Sequence, residues 1–260
     1  MSKKRVLRLR YEQLMYLLRR DIKKRYKDTA LGLLWILLTP LIQSFVIAYI
    51  FVRIIGVQSS QIPTDLYPFI VLSGLTTWNY VSHTIGRAMD VFTTNREFVQ
   101  NQPLPLILLP LASSLEKLFD FVVETAFLII LLTVVHHAPG IQLLGLLPFT
   151  LAIFLFVTGL SMLFSLIYIY VRDVGHIVSF FLSVWFWLSP IFFPADIIPS
   201  HLSWFNTNPM VHLLASFRSI MLNHTVDPVK EAKLLAMGLI VFSVGSLVFN
   251  RYHKRAFDAL

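Results

Sequence analysis

Apolar residues along this 260-residue chain gather into long runs, with the polar residues concentrated between them. Six runs have roughly the 20-residue length that crosses a bilayer core. The first extends from about Leu31 to Val52 and closes at Arg53, Gly56 and the polar stretch Gln58 to Gln61. The second extends from about Tyr67 to Val91. The third follows Pro103, Pro105 and Pro110 and ends near His136. Pro139–Gly140 marks a turn, and the fourth run extends from about Leu143 to Tyr170. The fifth, Ile177 to Phe193, is opened by Arg172-Asp173-Val174-Gly175, and the sixth is about Ala232 to Phe249. The pattern predicts an all-α integral membrane fold with six transmembrane helices.

Two further elements lie outside these runs. Leu7, Tyr11, Leu14, Met15, Leu18, Ile22 and Tyr26 recur at spacings of three and four, which places them on one face of a helix. Arg8, Glu12, Arg19, Arg20, Lys23, Lys24 and Lys27 lie opposite. A helix of this kind settles at the membrane interface, apolar face down and cations toward anionic headgroups. Two readings stay open: a solvated anchor, or a platform that also contacts a cytoplasmic partner or guides an anionic lipid. Between the fifth and sixth runs, Pro190, Pro194, Pro199 and Pro209 break the chain into pieces such as Met210 to Leu222, too short to cross. Short helices at membrane depth are tolerated where they pack on protein or line a cavity, so this segment predicts re-entrant helices that close the outer end of a pathway.

Composition excludes a soluble enzyme. Only 14% of residues are charged and 56% are hydrophobic, with a mean hydropathy of +0.70, against about 25% charged in an ordinary soluble domain. There is no cysteine, hence no disulfide framework, thiol nucleophile or zinc ribbon. The net charge of +8 does not call for nucleic acid, because the cations are sorted along the chain. Eleven lie in residues 1–30, and with Arg87, Arg96, Arg172, Arg251, Lys254 and Arg255 they make seventeen on one side. The other side has four: Arg53, Arg218, Lys230 and Lys233. The positive-inside rule then places both termini in the cytoplasm, as an even number of spans requires. The first apolar run, at about 25 residues, is too long for a signal-peptide core, and no cleavage site follows it, so the N-terminus is expected to be retained.

Chemistry-bearing residues are few. Glu116, Asp120 and Glu124 share one helical face in the third run, with Lys117 beside them. Charges at membrane depth face a protein interior or a wet cavity. They mark either a proton-coupling or cation site, or a structural stripe neutralised by Lys117 or Arg87. Aromatic residues cluster in the second and fifth runs. Most suit an interfacial belt or a lipid-facing surface, but Trp78, Tyr80 and Trp185 sit away from the expected interfaces. With Trp35, they are the candidates for lining a passage, where ring faces stack on sugars. No G-x-x-x-x-G-K-[ST], H-E-x-x-H or G-x-S-x-G occurs. His136–His137 falls in an external turn. No metal site and no catalytic centre are expected.

Several local patterns combine. Arg25-Tyr26, Thr29, Leu31-Gly32, Trp35 and Pro40 lead into the first run; Asn95 to Pro105 forms a proline-ended loop. Val171-Arg172-Asp173 precedes the fifth run, Ser189-Pro190-Ile191 ends it, and Asn208-Pro209 follows. In order and spacing these resemble the permease subunits of bacterial ABC-2 exporters for cell-surface polymers, over essentially the whole chain. The resemblance implies a homodimer of six-span subunits in the bacterial inner or plasma membrane, with two copies of a separate ABC ATPase that binds ATP and Mg. This chain would then hold no cofactor and be no enzyme. It implies a cytoplasmic interface helix in residues 1–30, including Arg20, Lys24, Arg25 and Tyr26, and a transmembrane domain in residues 31–260. It implies a coupling helix at about 94–102, with Arg96, Glu97, Phe98 and Gln100 toward the ATPase, and outer gate helices at about 195–222. The cargo implied is a polymer on an undecaprenyl-type lipid. The lead-in to the first run and the Ser216-Phe217-Arg218 region favour a teichoic acid type, with O-antigen or capsular polysaccharide next. A proton-coupled secondary transporter using the carboxylate stripe is the alternative, and a membrane enzyme acting on lipid-linked sugars a third.

Overall fold

The computed structural model describes residues 3–26, 31–54, 56, 64–96, 105–135, 137–193 and 200–257. Among these the chain is helical, without strands. Helix α1 is Lys3–Tyr26. A 3-10 turn at Gly32–Leu34 leads into α2, Trp35–Tyr49, which continues as a π-helical turn at Ile50–Ile54. α3 is Tyr67–Met89, α4 the short Val91–Thr94, and α5 Leu108–Val134. A 3-10 segment, Ile141–Gly145, precedes α6, Leu146–Tyr170; α7 is Val174–Trp187. Another, Ser200–Thr207, precedes α8, Pro209–Met221, and α9 is Pro228–Phe257.

Three helical stretches among the described residues are long and apolar enough to cross a membrane: Gly32–Ile54, Ile141–Tyr170 and Pro228–His253. α3 and α5 have comparable length, 23 and 27 residues, but carry polar side chains that turn inward. Nine consecutive residues of α3, Ile70 to Trp78, are buried. A helix with one face toward lipid cannot bury every position of two and a half turns; α3 is therefore the axis of the bundle. It packs against α2, α5, α6, α7 and α8. Its hydroxyls close on its own backbone: Ser73 Oγ donates to the Ile70 carbonyl at 2.8 Å, and Thr77 Oγ1 to that of Ser73 at 3.0 Å. Ser73 and Thr77 thus reach the core with their hydroxyl donors satisfied.

α6 and α9 form the most extensive helix pair. Small residues permit it. A Cβ on Gly159 of α6 would stand 2.5 Å from the Val241 carbonyl oxygen, and one on Gly245 of α9 would collide with the Gly159 carbonyl. A Cβ on Gly238 would strike the carbonyl of Ala152. Ala152 and Gly159 are seven apart, as are Gly238 and Gly245, so two small residues per helix sit on one seam. In a bilayer, close backbone approach of this kind replaces hydrophobic driving force with dispersion contact.

Helix boundaries differ from the sequence reading in two places. The fifth run does not stay helical to Phe193: α7 stops at Trp187, because Pro190 has no N–H to continue the ladder and excludes helical geometry just before it. The sixth run extends beyond Ala232 and Phe249 at both ends, since its flanking lysines, arginine and asparagine are good enough helix formers to continue it outside an apolar core.

α1 also rests differently from its apolar stripe. Leu17, outside that stripe, is fully buried and packs with Val91, Phe92 and Leu109, whereas Tyr11 remains 63% exposed. Beside Leu17, Arg20 and Asp21 find partners on the bundle: Arg20 Nη2 donates to Asn95 Oδ1 at 2.6 Å, and Asp21 lies 4.0 Å from Arg87.

Candidate functional site

The break after α7 is where the polar chemistry of the interior concentrates. Once the helix stops, the carbonyls of Pro190, Ile191 and Phe193 have no ladder to accept from, at a depth where water is scarce. Arg218 of α8 supplies the donors. Its Nη1 donates to the Pro190 and Phe193 carbonyls, both at 2.8 Å, and its Nη2 to those of Ile191 at 2.6 Å and Ile70 at 3.1 Å. Nε reaches Ser73 Oγ at 3.3 Å. The five N–H groups of the guanidinium thus meet five acceptors, four of them backbone carbonyls. Gly74 makes room for the head: a Cβ there would stand 2.8 Å from Nη2 and collide with the Ile191 carbonyl.

A second knot joins the same elements. Asn208 caps α8 by accepting from the Met210 N–H at 2.9 Å, with Pro209 at the first helical position. The same Oδ1 accepts from Trp185 Nε1 at 2.8 Å, and Nδ2 donates to the Leu188 carbonyl at 2.9 Å and Ser189 Oγ at 3.3 Å. The Ser189-Pro190 and Asn208-Pro209 motifs, 19 residues apart, are therefore parts of one corner. Arg218, counted from sequence among four cations on the external side, is a buried structural centre, only 6% exposed. A lone arginine in an apolar stretch beside a multiply broken helix is the signal that would have found it.

The aromatic candidates divide. Trp78 is buried and meets Trp185 edge-on, centroids 5.6 Å apart, and Phe186 at 5.5 Å. Tyr80, also buried, packs on Phe121 at 5.3 Å, and its hydroxyl points to the Ser114 carbonyl at 3.5 Å. Trp185 is half-buried and Trp35 is 48% exposed on α2. The carboxylates lie where α5 faces α3. Glu116 is buried, 3.8 Å from Arg87 Nε; Asp120 lies 3.5 Å from Lys117; Glu124 faces Thr76. Each of the first two thus has a cation within reach.

At the end of the bundle holding α1, Arg20 and Asn95 join α1 to the residue after α4. Lys24, Arg25 and Tyr26 occupy the last turn of α1. Arg96 is exposed. Glu97, Phe98 and Gln100 lie outside the described residues, as do most of 94–102 and residues 195–199 of the expected gate segment. Residues 200–222 of that segment form the 3-10 segment and α8, packed on α3 and α6.

Helices of membrane-crossing length, packed by glycine seams around a polar but hydrogen-bonded axis, define a multi-pass membrane protein. Its sequence agrees: residues 12–222 match the ABC-2 type transporter family, and the chain belongs to that family. It is similar to the O-antigen export system permease protein RfbA of Klebsiella pneumoniae, 26% identical over 252 residues that cover 96% of this chain and 95% of the relative. The protein of the same name from Myxococcus xanthus is 27% identical over 242 residues, covering 91% of each chain. The polysialic acid transport protein KpsM of Escherichia coli is 22% identical over 244 residues, 91% of this chain and 92% of its own.

Proposed function

We propose that this chain is the membrane permease subunit of an ATP-driven exporter that moves a lipid-linked cell-surface polysaccharide out of the cytoplasm. What carries the reading is the family match over residues 12–222, joined to alignments with two kinds of polysaccharide transport protein that each span more than nine-tenths of both chains. The relatives are named for O-antigen export and polysialic acid transport, so the cargo class is a lipid-linked polysaccharide. A teichoic acid type polymer is the narrower version, favoured by the lead-in to the first span and the Ser216-Phe217-Arg218 region.

In this reading the subunit crosses the bacterial inner or plasma membrane six times, by α2, α3, α5, α6, α7 with the corner that follows it, and α9. The greasy stretches Gly32–Ile54, Ile141–Tyr170 and Pro228–His253 face lipid, while α3 and α5, less apolar, are sheltered by their neighbours. Both termini lie inside in this reading, which the sorting of seventeen cations against four supports. Two copies enclose the passage, with Trp35 and Trp185 toward the cargo and Trp78 and Tyr80 supporting them from behind. The 200–222 segment gates the outer end. Two copies of a separate ATPase, which bind ATP and Mg, dock below α1 and the 94–102 segment through Arg96, Glu97, Phe98 and Gln100.

The test is reconstitution with candidate ATPases and lipid-linked polymer. Outward movement is expected only with both ATPase and ATP, and export with no ATPase bound would end the proposal. Offering polysaccharide and polyol-phosphate polymers side by side separates the two cargo versions. Phe98→Ala or charge reversal at Glu97 is expected to reduce capture of the ATPase in a pull-down while the permease remains folded; undiminished capture removes the 94–102 assignment.

A further inference from the structure

At the end of α9 opposite the α1 cluster, a cleft of about 330 Å³ opens between α8 and α9, lined by His212, Ala215, Lys230, Lys233, Leu234 and Met237. Its composition is two-sided. Lys230 and Lys233 stand three apart in the first two turns of α9, so they are neighbours on one helical face. His212 of α8 lies across from them, its Nε2 held 2.8 Å from the Asn206 carbonyl. Ala215, Leu234 and Met237 make an apolar floor. Two acids stand near the rim, and one of them pairs with Lys230. Asp227 caps α9 by accepting from the Val229 and Lys230 N–H groups and lies 3.8 Å from Lys230 Nζ. Glu231 is buried and accepts from Ser216 Oγ. Lys233 makes no ion pair among the described residues, so the cleft keeps a cationic rim over an apolar base.

Depth gives that rim a meaning. The stretch Pro228–His253 has 26 residues, a rise of about 39 Å against a hydrocarbon core of about 30 Å. Its ends therefore reach into the headgroup layers, with Lys230 among the phosphates and Lys233 about one turn deeper. Lysines on the external side run against the usual charge asymmetry of membrane proteins. Here two of them line a cleft between two helices.

We propose that this cleft binds the phosphate head of an anionic membrane amphiphile, with Lys233 and Lys230 holding the phosphate and the Leu234–Met237 floor taking the first methylenes of its tail. That the cleft opens to the outer leaflet rests on the orientation proposed above; that it binds such a head does not. A pocket with both parts is suited to an amphiphile rather than to a free anion, which would gain nothing from the floor. In an exporter of lipid-linked polymer, it lies where a phosphate-bearing carrier lipid would be held after crossing.

The chain has no cysteine, so a single Ala236→Cys carries a fluorophore beside the cleft in the full-length protein, held in phosphatidylcholine nanodiscs. Brominated phosphatidylglycerol is expected to quench it several-fold more than brominated phosphatidylcholine at equal mole fraction. The double variant Lys230→Gln and Lys233→Gln should abolish that preference, while Lys230→Arg with Lys233→Arg should keep it. Millimolar inorganic phosphate should not displace the lipid. Equal quenching by the two lipids, an unchanged preference in the glutamine variant, or displacement by inorganic phosphate would each overturn the proposal. The readout needs neither ATPase nor transport, so a negative result leaves the exporter reading standing, and a failed export assay leaves this one standing.

Discussion

Arg218 brings five donors to a region where a helix has been cut and the carbonyls of Pro190, Ile191 and Phe193 need partners. Its value lies less in the bonds made than in the carbonyls it prevents from being orphaned: an unsatisfied buried acceptor costs about 1–3 kcal/mol each. Arg218→Met keeps the volume and removes every donor. It is expected to destabilise the folded permease by roughly 3 kcal/mol or more, seen as a fall in the thermal midpoint of detergent-solubilised protein followed by size-exclusion chromatography. Arg218→Lys should be intermediate, because three ammonium protons on one atom cannot reach acceptors spread around a planar fork. A midpoint unchanged in both variants would refute the latch. Sequence alone could not expose this. Proline spacing predicts the helix break, but which side chain answers it depends on α8 folding back against α3, and Ser73 lies more than a hundred residues before both Pro190 and Arg218.

Elements show the same division. Six apolar runs are legible in the sequence; the helix of the sixth outruns its apolar stretch at both ends, and the first four begin and end within a few residues of the helices observed. The fifth does not, as its apolar character outlasts its helix: Ile191 and Phe192 are buried as irregular chain, not as a further turn. Glycine spacing in α6 and α9 was legible in principle, yet nothing local says which helix answers which seam. Gly245→Leu is expected to force α6 and α9 apart and cost roughly 1–3 kcal/mol, read as lower yield and a lower thermal midpoint. Gly86→Ala is the matched control. A Cβ at Gly86 meets no atom within 4 Å, so this change should be neutral or raise stability by about 0.5–1 kcal/mol through helix propensity. Equal effects of the two substitutions would argue against the seam.

For the molecule as a whole, the carboxylates on α5 decide between two kinds of machine. A proton-coupled carrier needs groups that change charge in every cycle; an ATP-driven permease needs only that buried charge be neutralised. Glu116 lies beside Arg87, and Asp120 beside Lys117. Converting Glu116 and Glu124 to glutamine and Asp120 to asparagine is therefore expected to leave ATP-dependent export close to that of the parent chain, measured in the reconstituted system. Loss of export with ATP hydrolysis intact would restore the coupling role. The interface helix teaches a related point: its stripe from Leu7 to Tyr26 was read correctly as a helix, while the contact it makes with the bundle centres on Leu17, beside that stripe. Sequence by itself determined the helical class, the membrane habitat, the sorting of cations and the position of the apolar helices, because each follows from local periodicity or from the energy of moving a residue type out of water. Tertiary structure alone decided which carbonyls Arg218 rescues, which face α1 buries and which glycines touch, because those depend on contacts between residues far apart in the chain, where no local preference acts.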